Sequence, residues 1–173
     1  MTPTFASILI RDERPEDAIA IRKVTRAAFA EHPHSLQTEH LIIDALRTAG
    51  ALTLSLVAES EGRIVGQIAF SPVQVGVGSI GWYGLGPVSV EPASQKRGIG
   101  TSLMMEGIDR LREMGAQGCV VLGDPVYYSR FGFERDDSRW LLGLPPGYFH
   151  SLQFGDLGAH GEVTYHEAFR TQA

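Results

Sequence analysis

The spacing of hydrophobic and polar positions changes several times along the chain, and the changes predict an ordered series of elements. Ser7 to Arg11 (SILIR) reads as a short first strand. Arg14-Pro15-Glu16-Asp17 then places proline and acidic residues where the first turn of a helix favours them. Ala18, Ile21, Ala28 and Phe29 supply part of an apolar stripe. That helix is expected to end near Ala30, before His32-Pro33-His34. A second helix follows, with Ser35 as its cap and Thr38 and Glu39 in its first turn. Leu41, Ile42, Ala45 and Leu46 form its apolar face, and Gly50 ends it.

A period of two takes over next. Leu52, Leu54, Leu56 and Ala58 alternate with Thr53, Ser55 and Val57. Glu61-Gly62 marks a hairpin turn, and Ile64 to Val75 reads as the returning strand. Pro72 lacks an N–H for the ladder and predicts a bulge or an edge. Gly76 to Gly81 reads as a loop and Trp82 to Val90 as a further strand. A helix is expected from about Gly100 to Met114, with Leu103, Met104, Ile108 and Leu111 on one side. Cys119 to Leu122 reads as a buried strand, Pro125 to Arg130 as a short helix, and Phe133 as the start of another strand. Leu142 to Gly158 is expected to be irregular, and Glu162 to Phe169 to be the last strand. The order predicts a mixed α/β (α+β) fold, not regular βαβ alternation. No repeat or long linker divides the chain, so residues 1–173 are expected to form one domain.

Composition narrows the function classes. The net charge of -5, with no long run of either sign, speaks against a general affinity for nucleic acid or an anionic membrane. No apolar run approaches the ~20 residues that span a bilayer. Met1 to Arg11 lacks the pattern of a signal peptide. Cys119 is the single cysteine, so no intrachain disulfide can form. A cytoplasmic, reducing location is the expectation.

Val88 to Leu103 (VSVEPASQKRGIGTSL) carries the most chemistry. A strand ends, a loop brings Gln95, Lys96 and Arg97, two glycines follow, and an apolar-faced helix begins. The first amides of a helix have no internal acceptor and lie at the positive end of its dipole. Gly98 and Gly100 let an oxygen approach the backbone without meeting a Cβ. The pattern predicts a pyrophosphate cradle, with a plain strand-to-helix turn as the alternative.

Gln95-Lys96-Arg97-Gly98-Ile99-Gly100 resembles the acetyl-CoA signature Gln-x-x-Gly-x-Gly of the GNAT superfamily. Pro87 to Pro92 resembles the fourth strand of that family, and Tyr128 to Phe133 its Tyr-x-x-x-Gly-Phe segment. Gly123-Asp124-Pro125 with Tyr127-Tyr128 is similar to the YhbS-like branch. The resemblance covers nearly the whole chain. It implies a single N-acetyltransferase domain whose fourth and fifth strands splay apart. It implies acetyl-CoA as cosubstrate, with pantetheine on the main chain of Val88, Ser89 and Val90. With Gln95 opening the signature, the amides of Arg97, Gly98, Ile99, Gly100 and Thr101 would then take the pyrophosphate oxygens, and Lys96 and Arg97 could add charge from the rim. Tyr128 would stand near the sulfur as proton donor, and an amine would be the acceptor. Many relatives carry an asparagine ahead of the short helix, where this chain has Asp124.

The base is not readable. Relatives often have a carboxylate on the fourth strand, but Trp82 to Val90 contains none and Glu91 lies just beyond. Glu31, His32 and His34 sit in the break between the first two helices and read as solvated loop residues. Tyr148-Phe149-His150 with Phe154 could line an acceptor pocket or plug the core. Gly76-Val77-Gly78-Ser79-Ile80-Gly81 matches Gly-x-Gly-x-x-Gly, but a strand pattern follows where a dinucleotide site needs a helix. The six histidines show no metal-binding spacing, so no metal is expected. Cys119 reads as a buried small hydrophobe. The reading is an acetyl-CoA-dependent N-acetyltransferase acting on an amine, with a homodimer as the default assembly. Its rivals are a non-catalytic acetyl-CoA sensor and a nucleotide-binding regulatory domain.

Overall fold

The computed structural model describes residues 7–144, 147–156 and 158–171. Its strands are β1 (Ile8–Asp12), β2 (Leu54–Ser60), β3 (Arg63–Val75), β4 (Trp82–Val90), β5 (Gly118–Leu122), β6 (Arg139–Trp140), β7 (Phe149–Gln153) and β8 (Gly161–Tyr165). Its helices are α1 (Ala18–Phe29), α2 (Glu39–Thr48), α3 (Ile99–Glu113) and α4 (Pro125–Ser129). The main sheet runs β1-β2-β3-β4-β5-β7, with β8 on the far end of β3 and β6 beside β8. All neighbours pair antiparallel except β4 with β5 and β6 with β8.

The long β3 serves two partners in turn. β2 pairs with it from Arg63 to Phe70, and β8 pairs from Val73 to Val75. Pro72 falls between the two, where its missing N–H leaves no ladder bond unmade. The register shift expected near it lies earlier instead, between Ile68 and Phe70 opposite β4.

The β4–β5 pairing decides the site. It covers only Trp82↔Gly118 to Leu85↔Val121. Beyond Leu85, β4 keeps β3 as its neighbour on one side, and β5 has turned away. The two strands therefore splay at their C-terminal ends.

α3 lies across this sheet over β3. Gly66 lets it approach: a Cβ there would stand 3.1 Å from Leu103 Cδ1 and 3.2 Å from Ile99 Cγ2. Gly107 takes the ring of Phe70, whose Cε2 would lie 2.5 Å from an added Cβ. Leu103, Met104, Ile108 and Leu111 join Ile68, Phe70, Leu85 and Val121 in the main core. Two close glycine contacts thus fix α3 so that its first turn stands beside the end of β4. Gly107→Ala should lower unfolding stability by about 1–3 kcal/mol through overpacking. Denaturant titration reads this; an unchanged midpoint would mean that Phe70 can move aside freely.

A second core on the opposite face holds Val73, Val75, Trp82, Val120, Phe149 and Val163. The buried Arg139 guanidinium lies 4.7 Å from the Trp82 ring centroid and donates to the carbonyl of Ala159 at 2.8 Å. It also pairs with Asp136. α1 and α2 pack together, and Thr25 of α1 meets Ser89 of β4, Oγ1 to Oγ, at 3.2 Å.

Four sequence expectations need correction. Phe133 starts no strand: it is buried in the main core, and Glu134 after it makes only an isolated bridge to Ser151. Leu142 to Gly158 is not wholly irregular, because it contains β7, which pairs with all of β5. The last strand ends at Tyr165, not Phe169. His166 Nδ1 accepts the N–H of Ala168 and starts a 3-10 turn there. Ser35 does not cap α2; its hydroxyl donates to Glu39 Oε1 at 2.6 Å, and the helix begins at Glu39.

Candidate active site

The sequence after β4 builds a convergent set of amides. Lys96 has φ 60° and Gly98 has φ 80°, two left-handed residues flanking Arg97. Such alternation turns successive N–H groups toward one side of the chain. Lys96 holds this conformation without being glycine, a local strain of the kind that persists at working sites. Gly98 then takes the N-cap position of α3, with no side chain capping it. Ser102 N–H bonds back to the Gly98 carbonyl, and Ile99, Gly100 and Thr101 precede that first helical bond. Their amides are the unpaired donors of a helix start and lie at the positive end of its dipole.

The strand contributes as well. Glu91 N–H bonds to the Val65 carbonyl of β3. Antiparallel alternation gives the main chain of Ser89 to β3 too, and turns that of Val88 and Val90 into the gap. Gln95 Nε2 confirms the direction by donating to the Val90 carbonyl at 3.0 Å, which also ties the loop to β4.

Two adjoining cavities fill the splay. One, of about 690 Å³, is lined by Val88, Ser89, Val90, Gln95, Lys96, Gly98, Ile99, Gly100 and Thr101. Nine of the ten sequence-expected cofactor residues thus meet around one space. Arg97 does not line it and points to solvent. The same cavity takes in His32, Tyr127 and Arg130. Arg130 Nη2 donates to Thr101 Oγ1 at 3.3 Å, and its guanidinium lies 5.3 Å from the Tyr127 ring centroid. Among the described residues neither Lys96 nor Arg130 has an ion-pair partner, so both are available to an anion.

The other cavity, of about 510 Å³, lies deeper in the splay. It is bounded by Phe29 and His32 at the end of α1, by Leu85, Gly86 and Pro87 of β4, and by Asp124 and Tyr128 after β5. His32, Val88, Ser89, Val90, Gln95 and Tyr127 line both cavities, so the two form one continuous cleft. Both volumes fall in the range of ligand sites.

Tyr128 is buried, with its ring edge-on to Tyr127 and Phe133. Burial, reinforced by Tyr127, Asp124 and Cys119, pushes its phenol up to about 12. Gly123 makes the packing possible, since a Cβ there would lie 2.5 Å from Tyr128 Cε2. Tyr128 therefore stays neutral and able to donate at ordinary pH.

The remaining candidates sort clearly. Glu31 and His34 are exposed and line neither cavity. Glu91 is turned toward Ser94 and Arg63. Gly84 of β4 is covered by Tyr165, whose Cε1 would stand 2.6 Å from a Cβ there. Phe149 belongs to the second core, Phe154 packs on the first, His150 is buried and Tyr148 is exposed, and none of the four lines either cavity. Cys119 is fully buried, and burial pushes its thiol far up, which removes it as a nucleophile. The Gly76 to Gly81 segment is a loop between β3 and β4. His32, Tyr127 and Arg130 were not legible as one cluster, because only the fold brings the end of α1 and α4 to the cradle. The sequence offered each only separately: His32 as a loop residue weighed as a base, Tyr127 in the Gly123 to Tyr128 resemblance, and Arg130 inside the Tyr128 to Phe133 segment.

Comparison with known proteins gives the family. Residues 18–133 match the model of the acetyltransferase (GNAT) family. The chain belongs to that family. It is 38% identical over 169 residues to the uncharacterized N-acetyltransferase YhbS of Escherichia coli K12, covering 94% of this chain and 98% of YhbS. A crystal structure of E. coli YhbS in complex with CoA superposes with a TM-score of 0.89 at 35% identity, covering 99% of this chain and 96% of that one. A GNAT acetyltransferase of Brucella melitensis, crystallised in complex with acetyl-CoA, is 53% identical with a TM-score of 0.85, covering 95% and 99%. The chain is a YhbS-like acyltransferase that uses acetyl-CoA as cosubstrate. Among the described residues no helix is long and apolar enough to cross a membrane.

Proposed function

We propose that this acetyltransferase moves an acetyl group directly from acetyl-CoA to an amine across the splay between β4 and β5. The observation that carries the reading is the continuity of the cleft: a helix-start anion cradle at one end and a buried neutral Tyr128 at the other, joined by the free main chain of β4.

The pyrophosphate is held by the amides of Ile99, Gly100 and Thr101, with Lys96 and Arg130 adding charge from the rim. Gln95 acts by tying the loop to Val90. Pantetheine lies along Val88 and Val90, as an added strand would, and places the thioester near Gly86 and Tyr128. A strand amide polarises the carbonyl while the amine attacks. The amine attacks in its neutral form; the new C–N bond forms as the C–S bond breaks, the proton shed by nitrogen passes to solvent through the open cleft, and CoA leaves as the thiolate that Tyr128 stabilises. The acceptor enters past Phe29 and His32 at the end of α1.

Acetyl-CoA should raise the melting temperature in a concentration-dependent way, and ATP and NAD should do much less. A larger shift with ATP or NAD would overturn the cofactor assignment. Release of free CoA across a panel of amines tests the transfer itself.

A further inference from the structure

We propose that a third cavity, between β6 and β7, is a subsite for the far end of the acceptor. It takes an aromatic ring or a branched alkyl group tethered to the amine. The inference rests on the reading of the cleft given above and extends it from the amine to the arm that carries it.

The cavity holds about 180 Å³, and Trp140, Leu141, Leu144, Gly147 and Phe149 give it apolar walls. That is room for one ring or branched alkyl group, since an apolar cavity of about 150 Å³ takes benzene. The charged residues at its edge are matched among themselves. Arg139 pairs with Asp136, and Arg135 pairs with Asp137. An ion entering the cavity meets no surplus charge, whereas an apolar group meets a wall it can cover.

Two links join this cavity to the cleft. The first is a pair of side chains. Leu122 lines the deeper cavity of the cleft and Phe149 lines the third cavity. The two stand directly opposite in the β5–β7 ladder. Residues so paired share a face of the sheet, with Cβ atoms roughly 5 Å apart. That face is also the one under α1. Phe149 shares the second core with Val73. Val73 alternates in step with Gln67 along β3, and Gln67 is paired with Ser89, which meets Thr25 of α1. The second link is backbone. Gly123, in the wall of the deeper cavity, donates its N–H to the Tyr148 carbonyl at 2.9 Å. Tyr148 lies between Gly147 and Phe149, two walls of the third cavity. The cavities are thus held about one strand spacing apart. Leu122 between them is 38% exposed, so the ridge is open and not roofed by the chain.

The surroundings favour a ligand there. Between Trp140 and Tyr148, the large apolar side chains of Trp140, Leu142, Leu144 and Tyr148 are all exposed. Single apolar residues are ordinary on a surface, but a cluster of them rimmed by charge marks a binding site. Its place beside the acceptor end of the cleft selects the ligand. An amine seated near Tyr128 that extends past Leu122 brings its far end over Phe149. Crossing the ridge takes on the order of four covalent bonds.

A series of phenylalkylamines with lengthening spacers, run beside ethylamine, tests this. kcat/KM should peak at one spacer length and exceed that of ethylamine about 10-fold or more. Leu144→Asp puts a charge into the apolar wall and touches neither the cradle nor Tyr128. It should raise KM for the best phenylalkylamine about 10-fold or more. The KM for ethylamine, kcat, the acetyl-CoA affinity and the melting temperature should change little. Trp140→Ala, which removes wall without adding charge, should act in the same direction. No dependence on spacer length, an unchanged phenylalkylamine KM in Leu144→Asp, or an equal rise for both amines would overturn the subsite. A dimer that Leu144→Asp dissociates, with acceptor KM unchanged, would assign the patch to a second copy of the chain and overturn it too. Calorimetric binding of the phenylalkylamine to the CoA-saturated protein separates this inference from the catalytic reading. Binding that Leu144→Asp weakens, without turnover of any amine, would keep the subsite and remove the catalysis. Equal binding in wild type and variant, or no binding, would overturn the subsite.

Discussion

Tyr128→Phe is expected to lower kcat by about 10²-fold, the usual cost of losing one donor aimed at developing charge. The ring survives, so the edge-on contacts with Tyr127 and Phe133 should hold and the protein should melt as before. Acetyl-CoA affinity should change far less, because sulfur gains charge only as the C–S bond breaks. The phenol stands at about 12, and a free thiol near ~8.5. Complete proton transfer to the thiolate is therefore uphill, and the hydroxyl works as a hydrogen-bond donor whose strength grows with the charge on sulfur. The same value predicts no alkaline loss of wild-type kcat from this group below about pH 11. Full turnover in the variant would strip Tyr128 of the role. A protein that only senses acetyl-CoA would show the opposite pattern: no turnover of any amine by the wild type, and an effect of the substitution on binding alone.

Gly98→Val should weaken acetyl-CoA binding by about 10- to 100-fold, equivalent to one or two charged hydrogen bonds lost or misaligned. The residue stands at φ 80°, where a β-branched side chain is strained, and it lines the cradle with nothing within 4 Å of an added Cβ. Valine would both fill that open space and rotate the amides that follow. The cost to folding should stay near ~1–3 kcal/mol, since no core contact is touched. Equilibrium binding with a parallel melting curve separates the two effects. Unchanged affinity in a folded variant would move the anion site elsewhere. Lys96→Gly is the informative partner: it relieves the positive φ and removes the charge, so any loss it shows at low salt should shrink as salt rises.

Val88 to Thr101 was legible because strand end, turn and helix start follow one another along the chain, so one window of sequence holds the whole cradle. The splay was legible only through family resemblance, since no local pattern says where β5 leaves β4. β7 was missed for a physical reason. Phe149, His150 and Ser151 are all buried although two of them are polar, so the sequence FHSLQ shows neither an apolar run nor alternation, and Gly147 and Gly155 flank it. A strand covered on both faces loses its alternation. His32, Tyr127 and Arg130 were invisible as a group because α1 and α4 are remote in sequence and meet only across β4. Asp124 was seen as a departure from the family pattern, but its place in the deeper cavity depends on how α4 folds back under the end of β5.

The free main chain of β4 has an evolutionary consequence. A cofactor held as proposed, by the backbone of Val88, Val90 and the first turn of α3, asks little of the side chains around it. The walls contributed by Phe29, His32, Leu122 and Asp124 belong to other segments. Substitutions there can change which amine is accepted while the chain still recognises the same acyl donor. A library confined to those four positions should therefore yield variants that keep acetyl-CoA binding and differ in acceptor, whereas one directed at Gly98 to Thr101 should yield mostly variants that bind no cofactor.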